Sequence, residues 1–560
     1  MTREDALAQL TGPGAPFEIG EVCVRGQPQR VYRRAPPSLR ALFEATAVHA
    51  ARTALVYEDE QWSYAQLHAR VAALARLLAG EYGVARGERV AIGMRNTPEW
   101  PLAFWATQCL GAVAVPLNAF WTGPELAHAL ADSGARVALV DGERLERLAP
   151  LLGQLRGLRC LAARARGALP AEVQRLEDAL ASLPADSALP AVEIEPDDDS
   201  TILYTSGTTG RPKGAVHSQR NHVHNVYNGA IRLALDALVR GPQPAPPGSA
   251  AQIVALQTFP FFHIAGLGLL YAHGYAGAKI VLLHKWDARR ALELIERERV
   301  TWVAGVPTVV RSLLDAPERG RFDLSSLCAL GSGGAPVPPD LVRRIGTDLE
   351  SVAPLNGYGL TETTSSVVSN AGDDYLAAPD SVGRPSPTTG LRVVAADGRD
   401  AEAGAVGEVW LSGPQIVRGY WNDPEASGEA FRDGWFRSGD LGYCDARGNL
   451  HIVDRIKDMV IRGGENVYCA EVEARLFEHP AVADVAVIGL PHAALGEEVA
   501  AVIEPRAGAL PDAEAIRAFA AQRLAAYKVP SRIFFQSAPL PRNAVGKVLK
   551  RQLRDEFAAR

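Results

Sequence analysis

The sequence has few cysteines, and none is arranged as a metal or disulfide motif. Six cysteines are scattered through 560 residues with no C-x-x-C spacing. Small secreted scaffolds concentrate cysteine in disulfides, and structural zinc sites pair cysteines at short spacing. The pattern therefore predicts reduced thiols in a cytosolic protein. The six positions are Cys23, Cys109, Cys160, Cys328, Cys444 and Cys469.

The chain also lacks a surplus of basic residues, an unbroken apolar run and an export signal. Its 58 Lys and Arg against 64 Asp and Glu give a net charge of -6, whereas nucleic-acid binding uses a concentrated basic face. The most apolar window, residues 264–283, contains His273 and Lys279 and several glycines, which predicts buried core and no transmembrane segment. The first residues include acidic side chains and no charged-then-apolar layout, so a cytoplasmic location is expected.

The most informative segment is the polar loop TSGTTGRPKG at residues 205–214. It follows the apolar run 201–204, which predicts a buried strand, so the loop should leave a sheet edge where nucleotides bind. Its glycines permit close backbone approach, its hydroxyls can donate to phosphate oxygens, and Lys213 adds a positive charge. The spacing is not that of a Walker loop. A phosphate-binding loop is predicted; the alternative is a polar loop with no ligand.

The order of apolar segments predicts the fold class and the domains. Up to about residue 381, strand-like runs such as 88–94 and 137–140 alternate with helical periodicity, which indicates largely parallel sheets covered by helices. From Val382 onward, short strands divided by Gly-rich turns predict a β subdomain. After Arg455 a compact α+β domain begins. We expect an N-terminal domain at residues 1–454 and a C-terminal domain at residues 455–560.

Five further motifs follow the loop, and each alone is weak. They are GGAP at 333–336, NGYGLTET at 356–363, WFRSGDL at 435–441, DRIKDM at 454–459 and PRNAVGK at 541–547. In this order and spacing the chain resembles the acyl-adenylate-forming (AMP-binding) superfamily, specifically its acyl-CoA synthetase branch and most of all the medium- and long-chain fatty-acid CoA ligases. The likeness runs from WSYAQL at 62–67 to Lys547. The last motif departs from the family, which more usually has Lys-Thr-x-Ser before Gly-Lys.

The resemblance implies an α/β fold with a large N-terminal domain of two α/β lobes plus a β subdomain. A small mobile α+β C-terminal domain would turn about a hinge near Lys457, with the active site between the domains. The implied reaction uses ATP, Mg²⁺ and coenzyme A in two steps. A carboxylate attacks the α-phosphorus to give acyl-AMP and pyrophosphate, and the CoA thiolate then attacks the acyl carbon. Because the first step brings two anions together, the site must supply positive charge and oriented donors.

The family's nucleotide contacts carry over by motif. The loop would wrap the β- and γ-phosphates, Thr361 would donate to the α-phosphate, and Asp440 would bind the ribose with Arg455 nearby. Tyr358 would stack on adenine, with Asn356 near the base. The implied ATP and AMP contacts are Thr205, Ser206, Gly207, Thr208, Thr209, Gly210, Lys213, Gly333, Ala335, Pro336, Asn356, Gly357, Tyr358, Gly359, Thr361, Asp440, Arg455 and Lys547.

The resemblance also implies a catalytic set. Lys547 would bridge the carboxylate and the α-phosphate, and His263 would lie beside the acyl carboxylate. Glu362, with Thr205 nearby, would hold Mg²⁺, a hard cation that takes oxygen ligands and bridges phosphates. Taken singly, each of these residues also fits a structural role, such as a turn, a helix start or a solvated surface. The implied hinge and CoA-tunnel residues are Lys457, Gly463 and Gly464.

The acid pocket is expected at residues 264–270, 330–334 and around Val367. These residues are small and apolar, with no Lys or Arg to pair a second carboxylate. An extended hydrophobic acid is therefore favoured, and a medium- or long-chain fatty acid is the prediction. An aryl, cinnamate-like or sterol side-chain acid is the near alternative. The predicted pocket residues are His263, Gly266, Leu267, Gly331 and Gly333.

Two other functions stay open. The enzyme could transfer the acyl group from acyl-AMP to a separate carrier protein, or the chain could be a nucleotide sensor without catalysis. The presence together of Glu362, Asp440, Arg455 and Lys547 argues against the sensor. The sequence leaves the oligomeric state open, a homodimer included. Its predicted partners are a small carboxylic acid, ATP and CoA, with no nucleic acid.

Overall fold

The first sheet of the protein is parallel except at the edge that carries the polar loop. The computed structural model describes residues 1–181, 188–205, 212–241, 252–510, 512–543 and 546–558. Strands such as Val137–Asp141 are buried on both faces, as expected for parallel strands covered by helices. At the edge, Asp199–Thr205 pairs antiparallel with Lys213–Ser218. In spatial order the strands are Lys213–Ser218, Asp199–Thr205, Val113–Pro116, Arg89–Gly93, Val137–Asp141, Arg159–Ala163 and Val173–Arg175.

The second sheet supplies the floor of the main cavity. Its central strands are parallel, and Gly333 lies opposite Gly357 across two of them. After Leu360 the chain makes the short turn Thr361–Thr363 and returns antiparallel. In spatial order the strands are Arg384–Pro385, Ser365–Ala371, Ala353–Leu360, Ala329–Gly333, Trp302–Gly305, Val254–Gln257, Lys279–Leu282, Thr53–Tyr57 and Glu60–Ser63.

The helices cover these sheets and begin at polar caps. Ser218 accepts from the backbone N–H of Asn221 at the start of one long helix, and His263 occupies the same position on another; such caps satisfy the free amides of a first turn. The helices are Arg3–Thr11, Leu39–Ala45, Tyr64–Gly80, Glu99–Cys109, Gly123–Ser133, Gly142–Leu148, Leu176–Ala181, Gln219–Arg240, Ile264–Tyr275, Ala288–Glu298, Pro307–Leu314, Pro339–Asp348, Gly372–Ala377, Pro424–Ala430, Cys469–Phe477, Ala513–Ala521 and Lys550–Phe557.

Two smaller sheets complete the chain, after an N-terminal hairpin of Ile19–Val24 and Gln27–Tyr32. The third sheet is the predicted β subdomain, and its strand Leu450–Arg455 reaches the predicted domain boundary. The C-terminal sheet then begins at Val460 around its own apolar cluster. The third sheet comprises Gly390–Val394, Gly407–Ser412, Trp435–Cys444, Phe431–Arg432 and Leu450–Arg455; the C-terminal sheet comprises Glu465–Val467, Val460–Arg462, Gly496–Pro505, Val482–His492 and Arg532–Phe535.

The structure agrees with the predicted fold class. Residues 264–283, the most apolar window, form the helix Ile264–Tyr275 and the strand Lys279–Leu282. Within the described ranges, every helix is too short or too polar to cross a membrane. All six cysteines lie in described segments, and each is free.

Candidate active site

One cavity of about 1220 Å³ lies where the sheets and the C-terminal domain meet. Its wall includes Thr205 and Lys213 from the first sheet, Glu362 from the second, Arg455 at the domain boundary and Lys547 near the C-terminus. These residues are separated by up to several hundred positions in the sequence. The fold therefore brings the predicted phosphate, metal and lysine residues to one space.

The predicted phosphate loop is described only at its two ends. Thr205 and Lys213 face each other across antiparallel strands, and the Thr205 hydroxyl donates to the Lys213 carbonyl at 3.4 Å. The predicted contacts between them, Ser206, Gly207, Thr208, Thr209 and Gly210, lie outside the described residues.

Glu362 is held by a tyrosine that the sequence analysis missed. The Tyr420 hydroxyl donates to Glu362 Oε1 at 2.8 Å, and the Lys213 ammonium lies 5.3 Å from the centre of the Tyr420 ring. Burial and the neighbouring Glu362 carboxylate raise the pKa of Tyr420, which stays a neutral donor. Tyr420 is far from every motif in the sequence, but a β-bridge to Ala215 places it beside the strand that follows the loop.

Thr361 is fixed from behind by a second missed residue. His217 Nε2 donates to the Thr361 carbonyl at 2.8 Å, and burial lowers the pKa of His217 to about 4, so the ring is neutral. The strand period could have revealed it, because Lys213 and His217 are four residues apart and side chains alternate along a strand. Gly359 permits the turn at Thr361, because a Cβ there would lie 1.9 Å from the Ser365 carbonyl oxygen.

Asp440 is buried and already paired. The Tyr358 hydroxyl donates to its Oδ2 at 2.8 Å, and Arg455 Nε lies 3.0 Å from its Oδ1. Asp440 and Arg455 face each other across antiparallel strands. Ser438 and Arg455 line the cavity, whereas the Asp440 carboxylate is only 5% exposed and lies off the wall. A ribose could therefore bond the Asp440 carboxylate only if the hydrogen bond from Tyr358 or the ion pair with Arg455 were broken.

The other predicted adenine residues divide into two groups. Gly333, Asn356, Gly357 and Gly359 line the cavity, as does Gly331 beside them. The remaining three, Ala335, Pro336 and Tyr358, do not form part of the cavity wall.

Arg455, Lys457 and Lys547 lie close together on the cavity wall. Burial, followed by the charges of Arg455 and Lys457, lowers the pKa of Lys547 to about 7. Burial and Arg455 likewise lower the pKa of Lys457. Asn543 holds the lysine segment, since its side-chain oxygen accepts from the Lys547 backbone N–H at 2.9 Å. Positive charges this close repel one another unless an anion lies among them. The cluster is therefore suited to binding an anion.

His263 lies at the acid end of the cavity. Its Nδ1 accepts from the Ala265 backbone N–H at 3.3 Å, which caps the helix Ile264–Tyr275. Burial, followed by the charge of Lys547, lowers the pKa of His263 to about 4. The ring is therefore neutral at physiological pH and close enough to Lys547 to sense its charge.

Two of the predicted acid-pocket residues do not line the cavity. A Cβ on Gly266 would lie 2.2 Å from the Pro260 carbonyl oxygen, so this glycine permits close packing of the backbone. Leu267 is fully buried in the hydrophobic core. The prediction treated residues 264–270 as one surface, whereas a helix presents only one face. The face that lines the cavity consists of Ile264, Ala265, Gly268, Leu269 and Ala272.

Another part of the wall is polar, which corrects the prediction of a pocket without Lys or Arg. Asn225, Asn228 and Arg232 line the cavity from the helix Gln219–Arg240. Arg232 pairs with Asp236, Nη1 to Oδ2, at 2.9 Å. Asn225, Asn228 and Arg232 follow one another at spacings of three and four residues, which places them on one face of the helix. No motif marked them; the helical period groups them on one face but does not show that this face lines the cavity.

The predicted CoA residues lie outside the cavity in this structure. Gly463 and Gly464 form the turn between Val460–Arg462 and Glu465–Val467, with φ of 60° and 90°. Neither is part of the cavity wall, whereas Lys457 is. Their role toward CoA stays a prediction that requires the C-terminal domain to turn.

Comparison with known proteins identifies the family. The model of the AMP-binding enzyme family matches residues 42–421, and the model of its C-terminal domain matches residues 471–547. The chain belongs to the AMP-binding enzyme family. Within it the chain falls in the acyl-CoA synthetase branch, as the motif order predicted.

Relatives within the AMP-binding family act on different acids. This chain is 39% identical to a feruloyl-CoA synthase of Amycolatopsis sp, over 92% of this chain and 96% of the relative. It is 35% identical to the long-chain-fatty-acid–CoA ligase FadD13 of Mycobacterium tuberculosis, over 90% of this chain and 94% of that relative. The crystal structure of the anthranilate CoA ligase AuaEII in complex with anthranoyl-AMP is similar to this structure, with a TM-score of 0.83 and 27% sequence identity. The match covers 93% of this chain and 97% of AuaEII.

Proposed function

We propose that this chain is an AMP-forming acid–CoA ligase whose acid carries an aromatic ring. The observation that supports the activity most strongly is the single cavity shared by Lys547, Thr361, Glu362 and His263. A lysine from the C-terminal segment meets the predicted phosphate and acid residues of the N-terminal domain there. ATP and CoA are the co-substrates that this branch of the family uses.

In the first step an oxygen of the acid carboxylate attacks the α-phosphorus of ATP, and pyrophosphate leaves. The Lys547 ammonium is assigned to the space between the two anions, where it neutralises charge that grows in the transition state. Thr361 donates its hydroxyl to the α-phosphate from a backbone position fixed by His217. The neutral His263 ring adds no charge that would hold the carboxylate too tightly.

Mg²⁺ fits the residues present. Tyr420 occupies one oxygen of the Glu362 carboxylate, and no other described residue bonds the second. Within the described segments no group of three or more His, Cys, Asp or Glu side chains could hold a metal. One carboxylate with the ATP phosphates is how Mg²⁺ is commonly held, and the cation would screen the charge of the leaving pyrophosphate.

In the second step the CoA thiolate attacks the acyl carbon, a C–S bond forms, and AMP leaves with the electrons of the broken C–O bond. Rotation of the C-terminal domain about Lys457 would withdraw Lys547 and bring Gly463 and Gly464 to the thiol channel. Glycine leaves room for a narrow pantetheine arm. The positive φ of both glycines, 60° and 90°, already favours glycine in the present turn, so the channel role is tested by CoA binding and not by the presence of glycine.

The acid pocket supports an aryl acid over the fatty acid favoured by the sequence. Trp302 lines the cavity beside Leu269 and Ala272, a surface suited to a ring. The wall formed by the helix Gln219–Arg240 is polar, and an unsubstituted alkyl chain would leave the buried Asn228 amide nitrogen without a partner, at a cost of about 1–3 kcal/mol. The feruloyl-CoA synthase relative acts on an aryl acid. The FadD13 relative makes a long-chain fatty acid the second candidate.

The test is a panel of acids supplied with ATP, Mg²⁺ and CoA. Ferulate, cinnamate, benzoate, octanoate and palmitate are compared by AMP release and by mass spectrometry of the thioester. We expect the highest kcat/KM with the cinnamates. Exclusive use of octanoate or palmitate would refute the aryl proposal, and AMP release without acyl-CoA would indicate a carrier protein as acceptor.

A further inference from the structure

Asn228 carries a hydrogen-bond donor that has no partner in the described structure. The residue is 5% exposed and lines the cavity. Its Oδ1 accepts from the Tyr32 hydroxyl at 2.8 Å and from the Thr388 hydroxyl at 3.3 Å. Its Nδ2 is buried and bonds no described residue. Because a buried donor without a partner costs about 1–3 kcal/mol, such groups in native proteins call for a ligand or water.

The neighbouring asparagine shows what a satisfied group on this wall looks like. Asn225 lines the same cavity one helical turn earlier, and its Nδ2 donates to the Ser366 carbonyl at 3.0 Å. The amide of Asn225 is thus structural, whereas that of Asn228 is fixed at its oxygen and open at its nitrogen. The two asparagines form a matched pair on one helix face.

Asn228 lies well away from the reacting end of the cavity. Asn221, near the start of the same helix, donates to the Ile416 carbonyl, and the next residue, Val417, donates its N–H to the Glu362 carbonyl. Asn228 is seven residues further along, or about 10 Å along the helix axis. An acid whose carboxylate is near Glu362 and Lys547 would therefore bring its far end to Asn228.

The helix surface next to Asn228 is open at Gly229. A Cβ built on the adjacent Gly229 meets no atom within 4 Å, and Gly229 also lines the cavity. Arg232 stands one turn beyond, on the same wall. A ligand group can therefore reach this face of the helix, where the buried Nδ2 of Asn228 becomes accessible only if the side chain or its neighbours shift.

We propose that Asn228 selects the acid by donating, through Nδ2, to an oxygen acceptor at the end of the substrate remote from its carboxylate. The acceptor class is an ether, phenol or carbonyl oxygen on a ring or chain. This inference rests on the proposed acid–CoA ligase function and specifies its substrate. It makes Asn228 a specificity-determining residue, distinct from the lysine and carboxylates of the reacting end.

The experiment compares pairs of acids of equal shape. The first pair is 4-methoxycinnamate and 4-ethylcinnamate, and the second is 8-methoxyoctanoate and decanoate. Within each pair an ether oxygen replaces a methylene group, so only the acceptor differs. For the wild-type enzyme we expect kcat/KM to favour the ether of the accepted pair by about tenfold, the value of one buried hydrogen bond.

Asn228→Asp removes the donor and keeps the oxygen that Tyr32 and Thr388 contact. We expect its ether preference to fall to about one. The control is Asn225→Asp, which removes a donor already bonded to a carbonyl. Its preference should stay near ten, whatever its effect on the absolute rates, and thermal melting confirms that both variants fold.

The outcomes separate the two proposals. If both wild-type ratios are near one, or Asn228→Asp keeps the wild-type ratio, the donor role of Asn228 is wrong while the ligase function stands. If no acid supports CoA-dependent AMP release, the ligase function fails, and this inference fails with it.

Discussion

The two ends of the cavity differ in how far their polar groups are already paired. At the nucleotide end, Asp440 is bonded by Tyr358 and Arg455, and Glu362 is bonded by Tyr420. At the acid end, the Asn228 amide has a buried nitrogen with no described partner. At the predicted nucleotide end the protein itself bonds the carboxylates, and Asp440 would have to exchange a partner to bind a ribose. The acid end leaves a bond for the substrate to complete, which is how a site discriminates among related acids.

The largest effect should come from the reacting end. Lys547→Ala removes one of the two lysine ammonium groups, the other being that of Lys457, that the described part of the C-terminal domain contributes to the cavity wall. We expect adenylation to fall by at least about 100-fold, because positive charge at the joining anions stabilises the transition state. The loss should be equal for every acid, in contrast to Asn228→Asp. The measurement is acid-dependent pyrophosphate release.

Thioester formation from supplied acyl-AMP provides the control. The rotated domain would no longer place Lys547 at the site, so the variant should retain much of this second step. Equal loss in both half-reactions would show that the lysine supports the fold and not adenylation.

A smaller effect is expected at the ribose position. Asp440→Asn keeps the shape but leaves Arg455 without its buried counter-charge, which costs several kcal/mol when such a pair is broken; because Arg455 is 34% exposed, solvent screening reduces that cost. We expect KM for ATP to rise by about tenfold and thermal stability to fall. Ser438→Ala is the comparison: its hydroxyl donates to the Val409 carbonyl on the neighbouring strand and accepts from the Asp440 backbone N–H, so its loss removes no charge. An unchanged KM for ATP in Asp440→Asn would remove Asp440 from the nucleotide site.

Several residues predicted for the nucleotide end lie in one cavity, because contiguous motifs carry them: Gly333, Asn356, Thr361, Glu362 and Arg455. Their contacts with a nucleotide stay a prediction. The phosphate-facing chemistry is carried by short turns, and a turn leaves a local signature of Gly, Thr and Asp. The fold class was predictable for a related reason, since the βα alternation is itself a local pattern.

The acid end was predicted poorly because it is assembled from single faces of two helices. A helix contributes every third or fourth residue, so Ala265 and Gly268 line the cavity whereas Gly266 between them packs on backbone. Asn228 and Arg232 come from a helix that carries no motif. Tyr420 was missed because only strand pairing, which the sequence does not reveal, places it beside Lys213.

The helix-face correction predicts opposite results at two glycines. Gly266→Ala forces a Cβ against the Pro260 carbonyl and should destabilise the protein by about 2 kcal/mol. Gly229→Ala meets open space and should be neutral or stabilise by up to about 1 kcal/mol, the helix propensity gained. Urea unfolding measures both. Equal stability of the two variants would contradict the packing described for Gly266.

The smallest predicted effect is the uptake of a proton when ATP binds, which tests the charge balance around Lys547. Because its pKa is lowered to about 7, Lys547 is mostly neutral at pH 8 in the protein without ATP. The triphosphate raises this pKa on binding, since it favours the charged ammonium, so ATP binding takes up a proton. We expect an uptake approaching about one proton per ATP at pH 8, measured by calorimetry in buffers of different ionisation enthalpy.

The affinity for ATP should accordingly weaken as pH rises above 7. Lys547→Met should abolish the uptake and flatten that pH dependence; uptake that persists in the variant would assign the proton to another group, with Lys457 the nearest candidate because its pKa is also lowered.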